Sequence, residues 1–382
     1  MLLNSTPRKI RSIVVAMSAL AMIATAPARA QGVLDKVSFH GSLNAGYGKS
    51  DGLGVFGVSK EGTFDYNAIA LQFGYKLGSD DRMVVQLLHR SLGTSPLKAL
   101  MPDLDPVWAF YEKKAAGFTF KFGRNPLPRG IFNEVRFVGT LLPLFREAAY
   151  LETLENIDGI VASRSFEVRD WGFDANAMVG EFDIKYFVPS ATGPLVGALR
   201  GVNSFGTQLW LRTPVQGLRI GTFIDRFDIA VTKENPIASA PQLVRMLSID
   251  GDFTHAFARA EAQTVTAGRG AAKSDYSNWY VQGGLKLSEK FTVLSEFTSV
   301  SSLLHPTPLP DLKLNASRDL VGAVNFAPSA NVKYKFELHH ADGYSFDTSV
   351  PTLIAPTRAP FAMSLAPRSK AVYAIISIAV SF

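Results

Sequence analysis

The residues best suited to acid–base or metal chemistry are the six histidines, His40, His89, His255, His305, His339 and His340. Their spacing supports little of it. His339 and His340 are adjacent, without the i, i+4 separation that puts two imidazoles on one helix face for zinc. In a strand the two point to opposite faces, so only His339 would look into an interior. No Gly-x-Ser-x-Gly elbow presents a nucleophilic serine. The chain has no cysteine, which removes thiolate nucleophiles, thiol metal sites and disulfides together. Gly46-Tyr47-Gly48 and Gly283-Gly284 sit in segments that read as strands, where glycine suits a bend or a close backbone approach rather than a phosphate cradle. No catalytic set converges, so no enzyme activity, cofactor or metal is read. What remains is charge, and its chemistry depends on the elements that place it.

The first residues set the compartment. Arg8, Lys9 and Arg11 form a basic stretch, and the apolar run from Ile13 to Ala26 ends before Ala28-Arg29-Ala30, an A-x-A cleavage site. The run falls short of the ~18 to 20 residues that cross a bilayer as a helix. Residues 1–30 therefore read as a removed secretory signal, with a membrane anchor as the alternative, and 31–382 as a single domain. Without the signal, 35 bases face 33 acids, so a net charge of +6 falls to about +2. The high isoelectric point thus comes largely from the signal and argues for no nucleic-acid partner.

Beyond the signal the hydrophobic pattern has period two. Val37, Phe39, Leu43, Ala45 and Tyr47 alternate with Ser38, His40, Ser42 and Asn44. Phe118, Phe120 and Phe122 alternate with Thr119 and Lys121, and Val332, Tyr334, Phe336 and Leu338 with Lys333, Lys335, Glu337 and His339. Such alternation gives a strand one apolar and one polar face. The segments expected as strands are 37–48, 64–77, 83–92, 106–113, 118–123, 158–168, 172–187, 203–212, 218–230, 242–252, 256–266, 276–286, 291–300, 317–326, 331–341 and 369–382. Register is least secure around 242–266. There Arg245 falls in phase with Leu243 and Leu247, and Ala258, Ala260 and Ala262 form one face, which suits a subunit border as well as lipid.

Connections between these segments alternate short and long. Ser79-Asp80-Asp81 and Arg169-Asp170-Trp171 are short, whereas 49–63, 93–105, 124–157 and 342–368 are long. A soluble sandwich has no reason for this asymmetry, but outer-membrane barrels have it. Only helices and closed barrels satisfy every backbone group in lipid. The longest apolar run of the mature chain, Ala371 to Phe382, is too short for a spanning helix. The expected fold is therefore all-β: a single antiparallel transmembrane β-barrel of about 16 strands, with both termini on the short-turn side.

Val372, Ala374, Ile376, Ile378, Val380 and Phe382 alternate up to a terminal phenylalanine, and Phe122-Gly123-Arg124 runs into Asn125-Pro126-Leu127-Pro128-Arg129-Gly130. Both features, with the overall plan, resemble Gram-negative outer-membrane porins of the sixteen-stranded trimeric type across the whole mature chain. The resemblance implies an outer-membrane location amid lipid and lipopolysaccharide, and a homotrimer. It also implies insertion by the barrel-assembly machinery through the strand ending in Phe382, and passive diffusion of ions and small hydrophilic solutes. It further implies that the third long loop, 124–157, folds into the barrel and narrows it. On that reading the constriction candidates are Arg124, Arg129, Glu134, Arg136, Arg146, Glu147, Glu152 and Glu155. The inner-wall candidates are Arg90, Lys121, Arg219, Lys333 and Lys335. Charges ringing a narrow passage sort ions by their local field. The competing readings are a channel specific for anions or sugars, a phospholipase- or protease-like barrel enzyme, and a structural or adhesive barrel. An enzyme needs a converging His/Ser or His/Asp set that the chain does not offer. Adhesive barrels are usually smaller or carry an added domain.

Overall fold

The computed structural model describes residues 36–52, 54–145, 154–188, 195–230, 241–268, 273–305, 312–343 and 369–382; the expected signal, 1–30, lies outside the described residues. Among the described residues sixteen strands follow one another. They are β1 (Val37–Ser50), β2 (Thr63–Lys76), β3 (Asp81–Leu92), β4 (Asp105–Ala115), β5 (Phe118–Pro126), β6 (Asn156–Val168), β7 (Trp171–Val188) and β8 (Leu195–Arg212). The second half comprises β9 (Leu218–Ile229), β10 (Pro241–Asp252), β11 (Ala256–Ala267), β12 (Ser274–Lys286), β13 (Phe291–Leu304), β14 (Leu312–Ser329), β15 (Val332–Gly343) and β16 (Ser369–Ser381).

Every strand pairs antiparallel with its sequence neighbours, and β1 pairs with β16, so the sheet closes on itself. At the seam the Gly41 amide donates to the Phe382 carbonyl at 2.8 Å and receives the Phe382 amide on its own carbonyl at 3.0 Å. Closure leaves no edge strand with unpaired amides, which is what lets a sheet cross lipid. All short connections lie at one end. Three of them have only two residues, among them Ala116-Gly117 between β4 and β5, with φ of 52° and 76° at the two central positions. That left-handed pair suits a two-residue hairpin turn whose twist matches the strands.

The alternation read from the sequence becomes an inside and an outside. On β9, Phe223, Asp225 and Phe227 are buried while Ile220, Ile224 and Arg226 are exposed. On β10, Val244, Met246, Ser248 and Asp250 are buried while Arg245, Leu247 and Ile249 are exposed. The segment 242–266 therefore keeps the expected pairing, with Arg245 on the outer face and Ala258, Ala260 and Ala262 along the outside of β11. At the short-turn edge the outer wall carries stacked aromatic pairs, Phe166–Phe173 at 5.0 Å and Phe291–Phe326 at 4.7 Å between ring centroids. Flanking aromatic girdles mark where a barrel wall leaves the apolar band.

The structure lengthens several strands at the long-loop end. β8 begins at Leu195 rather than 203, β14 at Leu312 rather than 317, and β13 continues to Leu304. A ladder can extend past the lipid because backbone pairing needs no apolar side chains, and the period-two signal stops where lipid stops requiring it. In the added turns Arg200 bridges Glu181 at 2.7 Å and Asp183 at 3.3 Å, all three well exposed.

Candidate functional site

The segment that follows β5 crosses the barrel interior. It leaves β5 past Asn125, whose amide donates to the carbonyls of Gly123 at 2.8 Å and Gly159 at 3.1 Å. The Ile131 amide donates to Glu261 on β11 at 2.9 Å. Further on, the Gly139 amide donates to the Ser42 hydroxyl of β1 at 3.1 Å, and the Thr140 hydroxyl donates to the Ser381 hydroxyl of β16 at 3.1 Å. Asn325 of β14 then donates to the Pro143 carbonyl at 2.8 Å, Lys335 of β15 donates to the Leu144 carbonyl at 3.0 Å, and Glu337 accepts from the Phe145 amide. All these wall residues stand on inward phases, on opposite sides of the cylinder. The segment is thus tethered from β11 across to the seam between β1 and β16 and on to β14 and β15.

Apolar contacts hold the same path. Leu127, Phe132, Leu142 and Leu154 are buried with Val161, Met178, Phe182, Phe223, Phe227, Val244 and Met246 from the inner wall. Phe137 packs among Val84, Leu88, Trp108 and Phe110, and Leu144 among Phe257, Leu294, Val321 and Ala323. Each fully buried side chain of this size contributes about 1.5–3 kcal/mol relative to exposure. The segment is therefore fixed chiefly by burial, and its polar tethers set the register.

At the base of the segment the charges are paired. Arg136, 3 % exposed, donates to the Asn133 side chain at 2.8 Å and pairs with Glu155 at 3.3 Å. Arg90 on β3 pairs with the same Glu155 oxygen at 2.8 Å. Burial alone would raise the Glu155 carboxyl, but the Arg90 and Arg136 charges outweigh it and hold it down, from an ordinary 4.5 to about 2. Arg129 is completely buried and acts electrostatically on Asp225 of β9.

An outer-membrane-expressed OmpT of Vibrio cholerae matches 91% of this chain and 97% of its own, with a TM-score of 0.56 at 12% identity. The outer membrane channel DcaP of Acinetobacter baumannii matches 91% of this chain and 97% of its own, with a TM-score of 0.56 at 9% identity. An anion-selective porin from Comamonas acidovorans matches 91% and 99%, with a TM-score of 0.52 at 11% identity. The chain has the outer-membrane porin fold. No family model matches it, and no curated protein does.

Within this porin fold the expected site residues separate into groups. Arg124 was expected at the constriction, and the structure places it outside. It shares the β5 phase of Phe118, Phe120 and Phe122 and pairs across the outer face with Asp158 of β6, at 2.7 and 2.8 Å. The reason is the pleat: four successive even positions cannot divide between two faces. Arg129 and Arg136 lie inside, but buried, with their charge turned into the protein. Glu134 is exposed on the short 3-10 turn Asn133–Val135. Glu155 is the ion-paired base just described, and Arg146, Glu147 and Glu152 lie outside the described residues.

All five wall candidates occupy inward positions. Arg90 is committed to Glu155, and Lys335 to the Leu144 carbonyl. Lys121 stands 5.5 Å from the centroid of Phe110. Arg219 pairs with Asp250 at 2.8 Å and lies 4.3 Å over Trp210. Lys333 is half-buried on β15.

Four wall groups outside the expected site residues hold the crossing segment: Ser42, Glu261, Asn325 and Glu337. A signal existed. Glu261 alternates with Ala260 and Ala262, and Glu337 with Phe336 and Leu338, so each is an acid on an inward phase. The alternation alone does not place His339 among its partners. Its ring meets Asp319 at 3.1 Å and Glu337 at 3.2 Å and stacks on Tyr373 at 4.3 Å. His340 points outward and is exposed.

Proposed function

We propose that this chain is an outer-membrane porin, a water-filled channel for passive diffusion of ions and small hydrophilic solutes. The observation that carries the reading is the segment after β5, crossing the interior of a closed sixteen-stranded barrel and tethered to opposite walls. Such a segment narrows a lumen without closing the cylinder. The exposed apolar phase, with Leu247, Ile249, Val281, Leu320, Phe336 and Ile376, suits lipid, and the aromatic pairs at the short-turn edge suit its boundary.

The rest of the proposal rests on the sequence. Residues 1–30 export the chain and are removed, and the short turns face the periplasm. The strand ending in Phe382 is read by the barrel-assembly machinery, and the outer surface meets lipid and lipopolysaccharide. The assembled unit is a homotrimer, and no catalytic activity belongs to it. Among the described residues of the segment Arg129 and Arg136 are buried and Arg124 is outside, so Glu134 is its exposed charge.

Planar-bilayer recording tests the core of this. Purified folded protein should insert in discrete conductance steps that scale with bulk salt conductivity. Stable insertion without such steps would refute the channel.

A further inference from the structure

The inward-facing bases gather at the short-turn mouth. Arg82 is the second residue of β3, Arg219 the second of β9, Lys333 the second of β15, Lys121 the fourth of β5 and Arg259 the fourth of β11. Arg212 and Lys286 close β8 and β12 at the same end. These strands are spread around the barrel, so the bases form a ring and not a patch.

Of the acids at this level Glu112 and Asp250 lie beneath their bases, whereas Asp252 and Glu167 are exposed beside Lys286 and Arg212. Glu112 is bidentate to Arg82 at 2.9 and 3.0 Å, with the arginine side chain 50% exposed and the carboxylate 6%. Asp250, 9% exposed, takes both Arg219 at 2.8 Å and Arg259 at 2.7 Å. Asp174 meets Arg212 at 3.1 Å, with Glu167 at 3.8 Å, and Asp252 accepts from Lys286. Lys121 and Lys333 have no carboxylate within 4.0 Å among the described residues. In the strands the bases of the ring outnumber its acids, and these two lysines are the uncompensated ones. Deeper in the lumen the balance is different: Glu261, Glu296, Glu337 and Asp225 are buried and taken up by hydrogen bonds.

We propose that this mouth is the selectivity element of the channel, that it favours small anions, and that Lys121 and Lys333 set the preference. The proposal rests on the channel reading and names its solute class. A unit charge about 6 Å from an ion in water changes the local ion concentration about three-fold. Fixed charges in a mouth of low-dielectric walls act more strongly than on an open surface. The bilayer experiment uses potassium chloride gradients at low and high salt on the wild type, on Lys121→Gln with Lys333→Gln, and on Arg164→Gln as control. Arg164 is an exposed base on the outer face of β6, 4.9 Å over Phe118, so its loss removes charge outside the lumen.

The wild type should prefer chloride. The double variant should lower the chloride-to-potassium permeability ratio about three-fold or more, and the control should leave it unchanged. The effect should shrink at high salt, where the Debye length falls from about 10 Å at 0.1 M to about 3 Å at 1 M. Among the described residues neither lysine has an ion-pair partner, so their removal strands no buried carboxylate there. Should the double variant still fail to fold, the wild-type sign decides: a cation-preferring or non-selective wild type overturns the ring. Equal shifts from the double variant and the control overturn it as well. Absence of any conductance in the wild type refutes the channel reading itself.

Discussion

Glu155 is the charge at which the crossing segment returns to the wall, and it is the sharpest place to perturb it. Its carboxylate faces Arg90 at 2.8 Å and Arg136 at 3.3 Å, both from largely buried side chains. Its ordinary value of 4.5 is drawn down to about 2. At about 1.4 kcal/mol per pH unit, the ionised form contributes about 3 kcal/mol to the folded state at neutral pH. The folded value is the depressed one, so this contribution is complete above 4.5 and is lost as the pH falls from there through about 2. Glu155→Gln keeps the shape and removes the charge, leaving two guanidinium groups facing an amide. Breaking a buried pair from one side costs about 3–5 kcal/mol, which agrees with the linkage figure. The assay is the unfolding free energy of folded wild type and variant in detergent or lipid, measured across acid pH. The gap should be about 3 kcal/mol at neutral pH and close as the pH approaches 2. Other carboxylates titrate in both proteins and cancel in the difference. A gap that is constant with pH, or none at neutral pH, would refute the assignment of Glu155 as the ionised anchor.

Gly159 of β6 lies where a Cβ would come 2.0 Å from the Val179 carbonyl oxygen, a backbone atom that cannot swing aside. Gly159→Val should cost at least the ~1–3 kcal/mol typical of overpacking, read as a lower urea midpoint of unfolding; an unchanged midpoint would contradict the β6–β7 register. At the seam a Cβ on Gly41 would meet the Phe382 ring at 2.2 Å, but that ring belongs to an exposed terminal residue and can move. Gly41→Val and deletion of Phe382 should therefore both reduce the folded fraction recovered from cells while leaving the conductance of assembled barrels intact, and wild-type recovery of both would count against the seam. Because Arg124 pairs with Asp158 on the outer wall, Arg124→Ala should leave the reversal potential unchanged in a salt gradient; a shift toward cations would put Arg124 in the pore after all.

The period-two pattern determined more of this protein than its functional reading used. Each expected strand forms, and the faces follow: Val244 and Met246 inside, Arg245 and Leu247 outside. Even the outward placement of Arg124 is legible from its phase with Phe118, Phe120 and Phe122; a likeness between loops pointed the other way. The face of a strand residue is a local property of the backbone pleat, so one strand's sequence suffices to set it. The starts of β8 and β14 were not legible, because past the lipid the ladder continues without apolar alternation to announce it. The path of the crossing segment was decided only by the tertiary structure. That Gly139 meets Ser42, or that Pro143 meets Asn325, joins residues far apart in the chain. The burial of Arg129 and Arg136 depends on those contacts, and so does the pairing of Glu155 with Arg90. Sequence alternation assigns a charge to a face but not to a depth. Depth settles whether it is solvated, paired or buried, and the closed barrel sets depth by bringing every wall to the same lumen.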